Sequence, residues 1–335
     1  MEYTTLGKTG LKISRLGFGG IPIQRVDAAT TRELILSMAE KGINYIDTAR
    51  GYTVSEEYLG YALEGLRDKF ILATKSMART KDAMTADIEL SLKNLKTDYI
   101  DIYQIHNPSV DQLEQVMAPG GALEALYEAK EAGKIGHIGL TGHTIELFEK
   151  AVNLDWVETF MFPYNIVETQ GEELMGKCTE NNIGFIVMKP MAGGAIEDPE
   201  LALRFICSNP DVTVVIPGMY DLKEIDMNLA AVENTAPLSD AELEKITAIR
   251  QQLGSNFCRR CNYCQPCAAG INISGVFLFQ GYLDRYGLND WAKDRYAALP
   301  VKASACIECG ICETRCPYNL PIRQMLKEAV SKFGV

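Results

Sequence analysis

The sequence predicts an α/β chain: a (β/α)8 TIM barrel over residues 1–253, followed by a small cysteine-rich domain over residues 254–335. Three observations carry this. Eight short apolar runs alternate with longer amphipathic stretches before Gly254. The first run ends in Gly17, Gly19 and Gly20, too closely spaced for the G-x-G-x-x-G turn of a doubly wound sheet. Eight of the ten cysteines then fall in the last quarter, in two tight groups.

The elements follow in order. Tyr3–Lys12 reads as a hairpin around Gly7-Lys8-Thr9-Gly10, placed to plug the barrel bottom. The barrel strands are Arg15–Gly19, Ile43–Thr48, Phe70–Lys75, Tyr99–His106, Gly136–Thr141, Thr159–Tyr164, Gly184–Lys189 and Val212–Pro217. They are rich in β-branched and aromatic residues and mostly apolar throughout, as parallel strands covered on both faces should be. Thr30-x-x-Glu33 has the form of a capping box for a helix burying Leu34, Ile35 and Met38. Ile88, Leu92 and Leu95 recur at helical spacing. Ser239-x-x-Glu242 opens a last helix that stops near Leu253-Gly254. Eight βα units in about 250 residues are the dimensions of a TIM barrel.

Composition is that of a globular protein, with 335 residues, 47% hydrophobic and 23% charged. The net charge of −11 argues against nucleic acid as a partner, since phosphate binding needs a basic face. No run of about 18 apolar residues offers a membrane span. Met1–Gly10 lacks the charged-then-apolar pattern of a secretory leader, so a cytoplasmic location is expected.

The cysteine groups are Cys258, Cys261, Cys264, Cys267 and Cys306, Cys309, Cys312, Cys316, the second followed by Pro317. C-x2-C-x2-C-x3-C-P is the ligand run of bacterial ferredoxins, in which the last cysteine serves the other cluster. An exchange follows. Cys258, Cys261 and Cys264 with Cys316 would hold one [4Fe-4S] cluster, and Cys306, Cys309 and Cys312 with Cys267 a second. Disulfides fit poorly in a long chain without a leader. Zinc fits poorly with three evenly spaced cysteines closing before proline. This domain is therefore expected to be ferredoxin-like and organised by its clusters, with Phe277, Leu278, Phe279, Tyr282, Leu283, Tyr286, Trp291 and Tyr296 packed around them. The isolated Cys178 and Cys207 read as core residues.

Four polar side chains stand at strand ends or just beyond, where barrel enzymes keep their chemistry: Asp47, Tyr52, Lys75 and His106. Together they make a proton-transfer site. A phenol holds its proton too tightly for easy exchange at neutral pH, and an ammonium beside it favours the phenolate. A carboxylate keeps that ammonium charged, and an imidazole can orient a carbonyl oxygen. His143 lies at the same mouth. His137, inside an apolar strand, and Trp156 and Trp291 read as packing residues.

Asp47-Thr48-Ala49-Arg50-Gly51-Tyr52 with Ser55-Glu56 and Leu59-Gly60, Ala73-Thr74-Lys75, and Asp101-Ile102-Tyr103-Gln104-Ile105-His106 resemble the aldo/keto reductase signature, in register from residue 2 to about 250. The cysteine-rich segment resembles that of the subgroup with a C-terminal ferredoxin-like domain. The resemblance implies carbonyl reduction with NADP or NAD bound without a Rossmann fold. It assigns Tyr52 as general acid, Lys75 and Asp47 as its activating pair, and His106 as the group that positions the carbonyl. It places the cofactor at Gly19-Gly20, at Thr141-Gly142, at Lys189-Pro190 with Gly193, and at Gly218-Met219 with Glu224 and Asn228. Thr141-Gly142 and Met161 replace the family's usual partners of the nicotinamide carboxamide. Lys223 is the basic residue near the adenine grip, and the sequence leaves NADP or NAD open.

The expected activity is hydride transfer to an aldehyde or ketone, or its reversal on an alcohol. The alternative is an iron–sulfur electron-transfer or redox-sensing protein that uses the barrel as a binding scaffold and serves a redox partner protein. A hydride carries two electrons and a [4Fe-4S] cluster one, so the role of the clusters stays open.

Overall fold

The computed structural model describes residues 1–254, 257–260, 263–285, 287–316 and 318–334. Cys261, Pro317 and Tyr286 lie outside the described residues. The chain divides into two compact units. One is Met1–Asn165, Thr169–Pro190 and Asp198–Leu238; the other is Ile166–Glu168, Met191–Glu197 and Ser239–Val335.

The first unit opens with the hairpin, β1 (Tyr3–Thr5) and β2 (Lys12–Ser14), paired antiparallel from Tyr3↔Ser14. Its turn needs glycine at Gly7, where φ is +51° and a Cβ would sit 2.3 Å from Gly184 N. Among the described residues an eight-stranded parallel sheet follows. Its strands are β3 (Phe18–Gly19), β4 (Tyr45–Asp47), β5 (Ile71–Ser76), β6 (Ile100–Ile105), β7 (Ile135–Thr141), β8 (Thr159–Pro163), β9 (Gly184–Met188) and β10 (Val214–Val215). Parallel bridges Leu16↔Val215 and Gly19↔Gly218 join the two ends, so the sheet closes into a (β/α)8 barrel. The first and last strands are shorter than the apolar runs suggest. Their flanks still pair through single backbone bonds, such as Val215 N to Arg15 O at 3.0 Å.

Side chains alternate along each strand, so residues two apart share a face. On the inward face Tyr45, Ala73 and Ile102 form the lower layer, packed with Met161, Ile186 and Val214. Leu6 and Ile13 of the hairpin belong to this same cluster and close the barrel from below. Two residues further up the same strands stand Asp47, Lys75 and Gln104. An apolar floor under a polar rim is thus written into the strand period.

The helices cover the outside. The first, Ala28–Glu40, buries Leu34, Ile35 and Met38 as expected. Its cap differs: Asp27, not Thr30, is the N-cap, and its carboxylate accepts from Thr30 N at 2.8 Å. An aspartate three residues upstream offers the orphan amides an acceptor, and the helix starts there. Helix Asp240–Gly254, which belongs to the second unit, has the expected reciprocal cap, with Ser239 N donating to Glu242 at 2.7 Å. His137 differs from expectation. It is half-buried and its Nδ1 lies 2.6 Å from Glu158, so it is a paired polar residue rather than apolar packing.

The second unit carries helices Ile273–Asp284, Asn289–Ala297 and Ile322–Phe333. Ile271, Ile273, Val276, Tyr296, Leu320 and Leu326 are buried with Cys264, Cys312 and Cys316 in one cluster. Tyr296 stacks on Phe333 at 3.9 Å, and its hydroxyl accepts from Ala303 N. Among the described residues, no helix is long and apolar enough to cross a membrane.

Candidate active site and cysteine cavities

Asp47 ends β4, Lys75 lies near the end of β5, and His106 follows β6, so the upper end of the barrel collects them. Lys75 Nζ donates to Asp47 Oδ1 and, at 2.8 Å, to Thr48 O. Both side chains are almost wholly buried. Burial pushes the Asp47 carboxyl up and the Lys75 ammonium down, and the attraction between the two opposes both shifts. Gln104, partner of Lys75 across the β5–β6 ladder, donates Nε2 to Asp47 Oδ2 at 2.9 Å. Each carboxylate oxygen therefore has its own donor.

Tyr52 sits in the turn that leads into helix Ser55–Ala62; its amide bonds Ala49 O and its carbonyl accepts from Ser55 N. Lys75 Nζ lies 4.8 Å from the centre of the Tyr52 ring. The His106 ring meets that ring edge-on at 6.2 Å. Burial, then Lys75, Arg79 and Lys189, hold the His106 imidazole well below the usual histidine range. It is therefore neutral, and its buried Nδ1 has no partner among the described residues. A neutral imidazole with an unused nitrogen can hydrogen-bond a ligand without exchanging its own charge.

Three non-glycine residues at this mouth adopt left-handed backbone: Thr53 beside Tyr52, Asn107 beside His106, and Lys189 after β9, with φ of +41°, +47° and +58°. Such conformations are costly for ordinary side chains and gather at functional sites. His143 Nδ1 lies 3.0 Å from Asn107 Oδ1, at the same mouth.

The positions assigned to the cofactor fall on the loops after β3, β7, β9 and β10. Gly19 N bonds Pro217 O at 2.9 Å and Gly20 N bonds Asp47 O at 2.8 Å. A Cβ on Gly20 would meet Asp47 O at 2.9 Å, so the backbone there is bare because the site allows nothing else. Thr141 Oγ1 accepts from Asn107 N, and Gly142 N bonds Met161 O. Met161 itself is packed into the barrel floor. Asn165 Nδ2 donates to Lys189 O at 3.0 Å, next to Pro190. Met219 and Asn228 are buried. Glu224 turns back to accept from Tyr220 N and Asp221 N, as the partner in a capping box. Bare backbone, buried amide groups and a neutral imidazole with a spare nitrogen suit an uncharged ring lying over the mouth.

In the second unit, Cys258, Cys264 and Cys316 line one cavity, with Arg259, Phe277 and Tyr318 in its wall. Cys267, Cys306, Cys309 and Cys312 line another. The division is that of the crossed fourth cysteines in the ligand spacing; Cys261 lies outside the described residues. Thiols around an apolar cavity are the donor set an iron–sulfur cluster takes. Cys178 and Cys207 stand apart, and burial raises their thiols to about 12 and about 11. Cys178 is buried in the core, and Cys207 is half-buried.

Sequence patterns alone do not single out three further residues. Gln104 hides in an apolar run. Glu56 is buried behind the site, where Arg50, Thr74 and Ser91 donate to it. Arg79, after β5, donates to His106 O at 2.8 Å. A polar residue two positions before His106, on the same face, is the one available signal, and it points to Gln104.

Residues 15–199 match the aldo/keto reductase family, and residues 257–321 match the 4Fe-4S dicluster domain. Among curated proteins, aldo-keto reductase YhdN of Bacillus subtilis is 36% identical over 201 residues, which are 54% of this chain and 59% of that one. L-galactose dehydrogenase of Arabidopsis thaliana is 28% identical, over 74% of this chain and 94% of its own. Among solved structures, the holo form of an aldo-keto reductase from Bacillus halodurans aligns with a TM-score of 0.65 and 26% identity. That alignment covers 74% of this chain and 96% of that one.

Proposed function

Since the chain belongs to the aldo/keto reductase family and carries a C-terminal 4Fe-4S dicluster domain, we propose that it reduces an aldehyde or ketone with Tyr52 as general acid. The observation that carries this reading is the Lys75 ammonium, fixed by buried Asp47 and 4.8 Å from the Tyr52 ring. A reduced nicotinamide cofactor, held by Gly19, Gly20, Thr141, Gly142, Lys189, Pro190, Gly218, Met219, Glu224 and Asn228, supplies the hydride when bound. The protein's own part is the proton. His106 donates a hydrogen bond to the substrate carbonyl oxygen and orients it. Tyr52 gives that oxygen its proton. Lys75 stabilises the phenolate left behind, and Asp47 keeps Lys75 charged and aimed. Residues 1–253 are the catalytic domain and residues 254–335 the cluster domain. There, Cys258, Cys261 and Cys264 with Cys316, and Cys306, Cys309 and Cys312 with Cys267, would hold two clusters, which would supply one-electron chemistry toward a redox partner protein.

Tyr52→Phe tests this on anaerobically prepared, iron-loaded protein. Carbonyl reduction should fall at least about 100-fold with NADPH and NADH alike. Unchanged turnover sinks the reading. It would favour the second one, an electron-transfer or redox-sensing protein with the barrel as scaffold. That second reading draws support from Met161, whose thioether sits in the barrel floor where relatives of this family usually present a glutamine to the carboxamide.

A further inference from the structure

Arg79 is a cation at the barrel mouth for which the proton-transfer arrangement has no use. Its contacts are all to neutral oxygens: Nη2 to His106 O at 2.8 Å, Nη1 to Ala78 O at 3.2 Å, and Nε to Gln112 Oε1 at 3.3 Å. Three other cations of the barrel each meet a carboxylate. Lys75 meets Asp47, Arg50 meets Glu56, and Arg67 meets Asp101. Among the described residues no carboxylate lies within 4.0 Å of Arg79. The side chain is nonetheless half-buried, and burial lowers the guanidinium to about 10. A buried charge without a counter-charge is costly and calls for an explanation.

Its place in the ring gives one. Tyr52 is in the loop after β4, the second barrel strand; Arg79 follows β5, the third; His106 follows β6, the fourth. The loop of Arg79 therefore lies between the two loops that grip the carbonyl oxygen, and whatever is attached to the carbonyl carbon can extend toward it. Lys189 follows β9, the seventh strand, four places on in a ring of eight and so across the mouth. A guanidinium has five N–H groups, and three are spent here, leaving one on each terminal nitrogen. A pair of that kind fits the two oxygens of a planar carboxylate.

We propose that Arg79 is the anion anchor of the substrate pocket, and that the substrate is a short oxo acid, a carbonyl compound carrying a carboxylate. The inference deepens the reductase reading and rests on it for the position of the carbonyl.

The test uses full-length, cluster-loaded protein and two probes of equal chain length, 4-oxobutanoate and butanal. Wild type should favour the oxo acid in kcat/KM. In Arg79→Gln the ratio of the two kcat/KM values should fall about 100-fold, as expected for a lost buried ion pair, and Arg79→Lys should recover part of it. An unchanged ratio, however far both rates drop, overturns the proposal and leaves Arg79 as a brace for His106. Calorimetry with butanoate separates this from a failure of the Tyr52 reading. Butanoate should bind Tyr52→Phe, and should bind Tyr52→Phe/Arg79→Gln at least about tenfold more weakly, whether or not Tyr52 proves to be the acid. Equal binding to the two variants counts against the anchor.

Discussion

The amide of Gln104 donates to Asp47 Oδ2 at 2.9 Å while Lys75 Nζ occupies Oδ1 of the same carboxylate. Asp47 is thereby fixed from both sides, and the orientation of the lysine follows from it. Gln104 Oε1 has no partner among the described residues, so the amide is kept at some cost to stability. Gln104→Leu should therefore change folding stability by only about 1 kcal/mol, the freed Oε1 burden offsetting the lost donor. Its kcat should fall about tenfold with KM little changed, because a loosened Asp47 misaims Lys75. Denaturant melts and steady-state kinetics on the same preparation check both numbers.

The Lys75–Asp47 pair is nearly inaccessible to water, so each charge depends on the other. Lys75→Met strands a buried carboxylate and should destabilise the barrel by about 3–5 kcal/mol. Asp47→Leu should do the same by stranding the ammonium. The double variant Asp47→Leu/Lys75→Met should be more stable than either single one, since no uncompensated charge remains. A double-mutant cycle in urea measures this, and additive losses would contradict it.

Glu158 gives a pH signature outside the site. Burial works against its charged form, but hydrogen bonds from His137, Lys130 and Ile138 N outweigh burial and take the carboxyl to about 2. A depressed carboxyl stabilises the fold above the ordinary glutamate range, near 4.5, and loses that contribution as pH falls toward 2. Glu158→Gln should cost about 1–2 kcal/mol at pH 7, after allowance for partial exposure. The gap to wild type should narrow below pH 4.5. Denaturation at pH 7, 4.5 and 3 reads it directly; a gap that is constant with pH rules the linkage out.

Arg259 lines the cavity of Cys258, Cys264 and Cys316, 9% exposed, with its guanidinium 3.8 Å from the Tyr318 ring centre and Nε on Val167 O. A nearby cation favours the more negative, reduced form of a cluster. Arg259→Leu should lower the midpoint potential of one cluster signal and leave the other in place. An anaerobic redox titration followed by paramagnetic resonance distinguishes the two. Equal shifts of both signals would mean that Arg259 acts through the fold rather than as a local charge.

Much of this was legible in the chain because the physics is local. Parallel strands buried on both faces must read as apolar runs, and eight of them appear. Polar residues ending such runs have no structural reason to be there, which marks Asp47, Lys75 and His106. Cysteine spacing reports ligation because a short loop can wrap only so many sulfurs. What stayed hidden depends on meetings between distant segments. Gln104 looks like one polar interruption until β5 and β6 pair. Arg79 looks like a solvated loop cation until its side chain is found on the His106 carbonyl. The Asp27 cap was missed for a plainer reason: two residues offered a capping oxygen, and only backbone geometry chooses between them. His137 was misjudged because period-2 alternation does not say which face of a barrel strand meets a helix rather than the floor.

The hairpin seal also governs traffic. With Leu6 and Ile13 stoppering the lower end, molecules reach the rim of Asp47, Lys75 and Gln104 from above. In the proposed reaction, cofactor and substrate therefore share one doorway. The first fourteen residues, which supply none of the proposed catalytic groups, thus decide from which end all of them are approached.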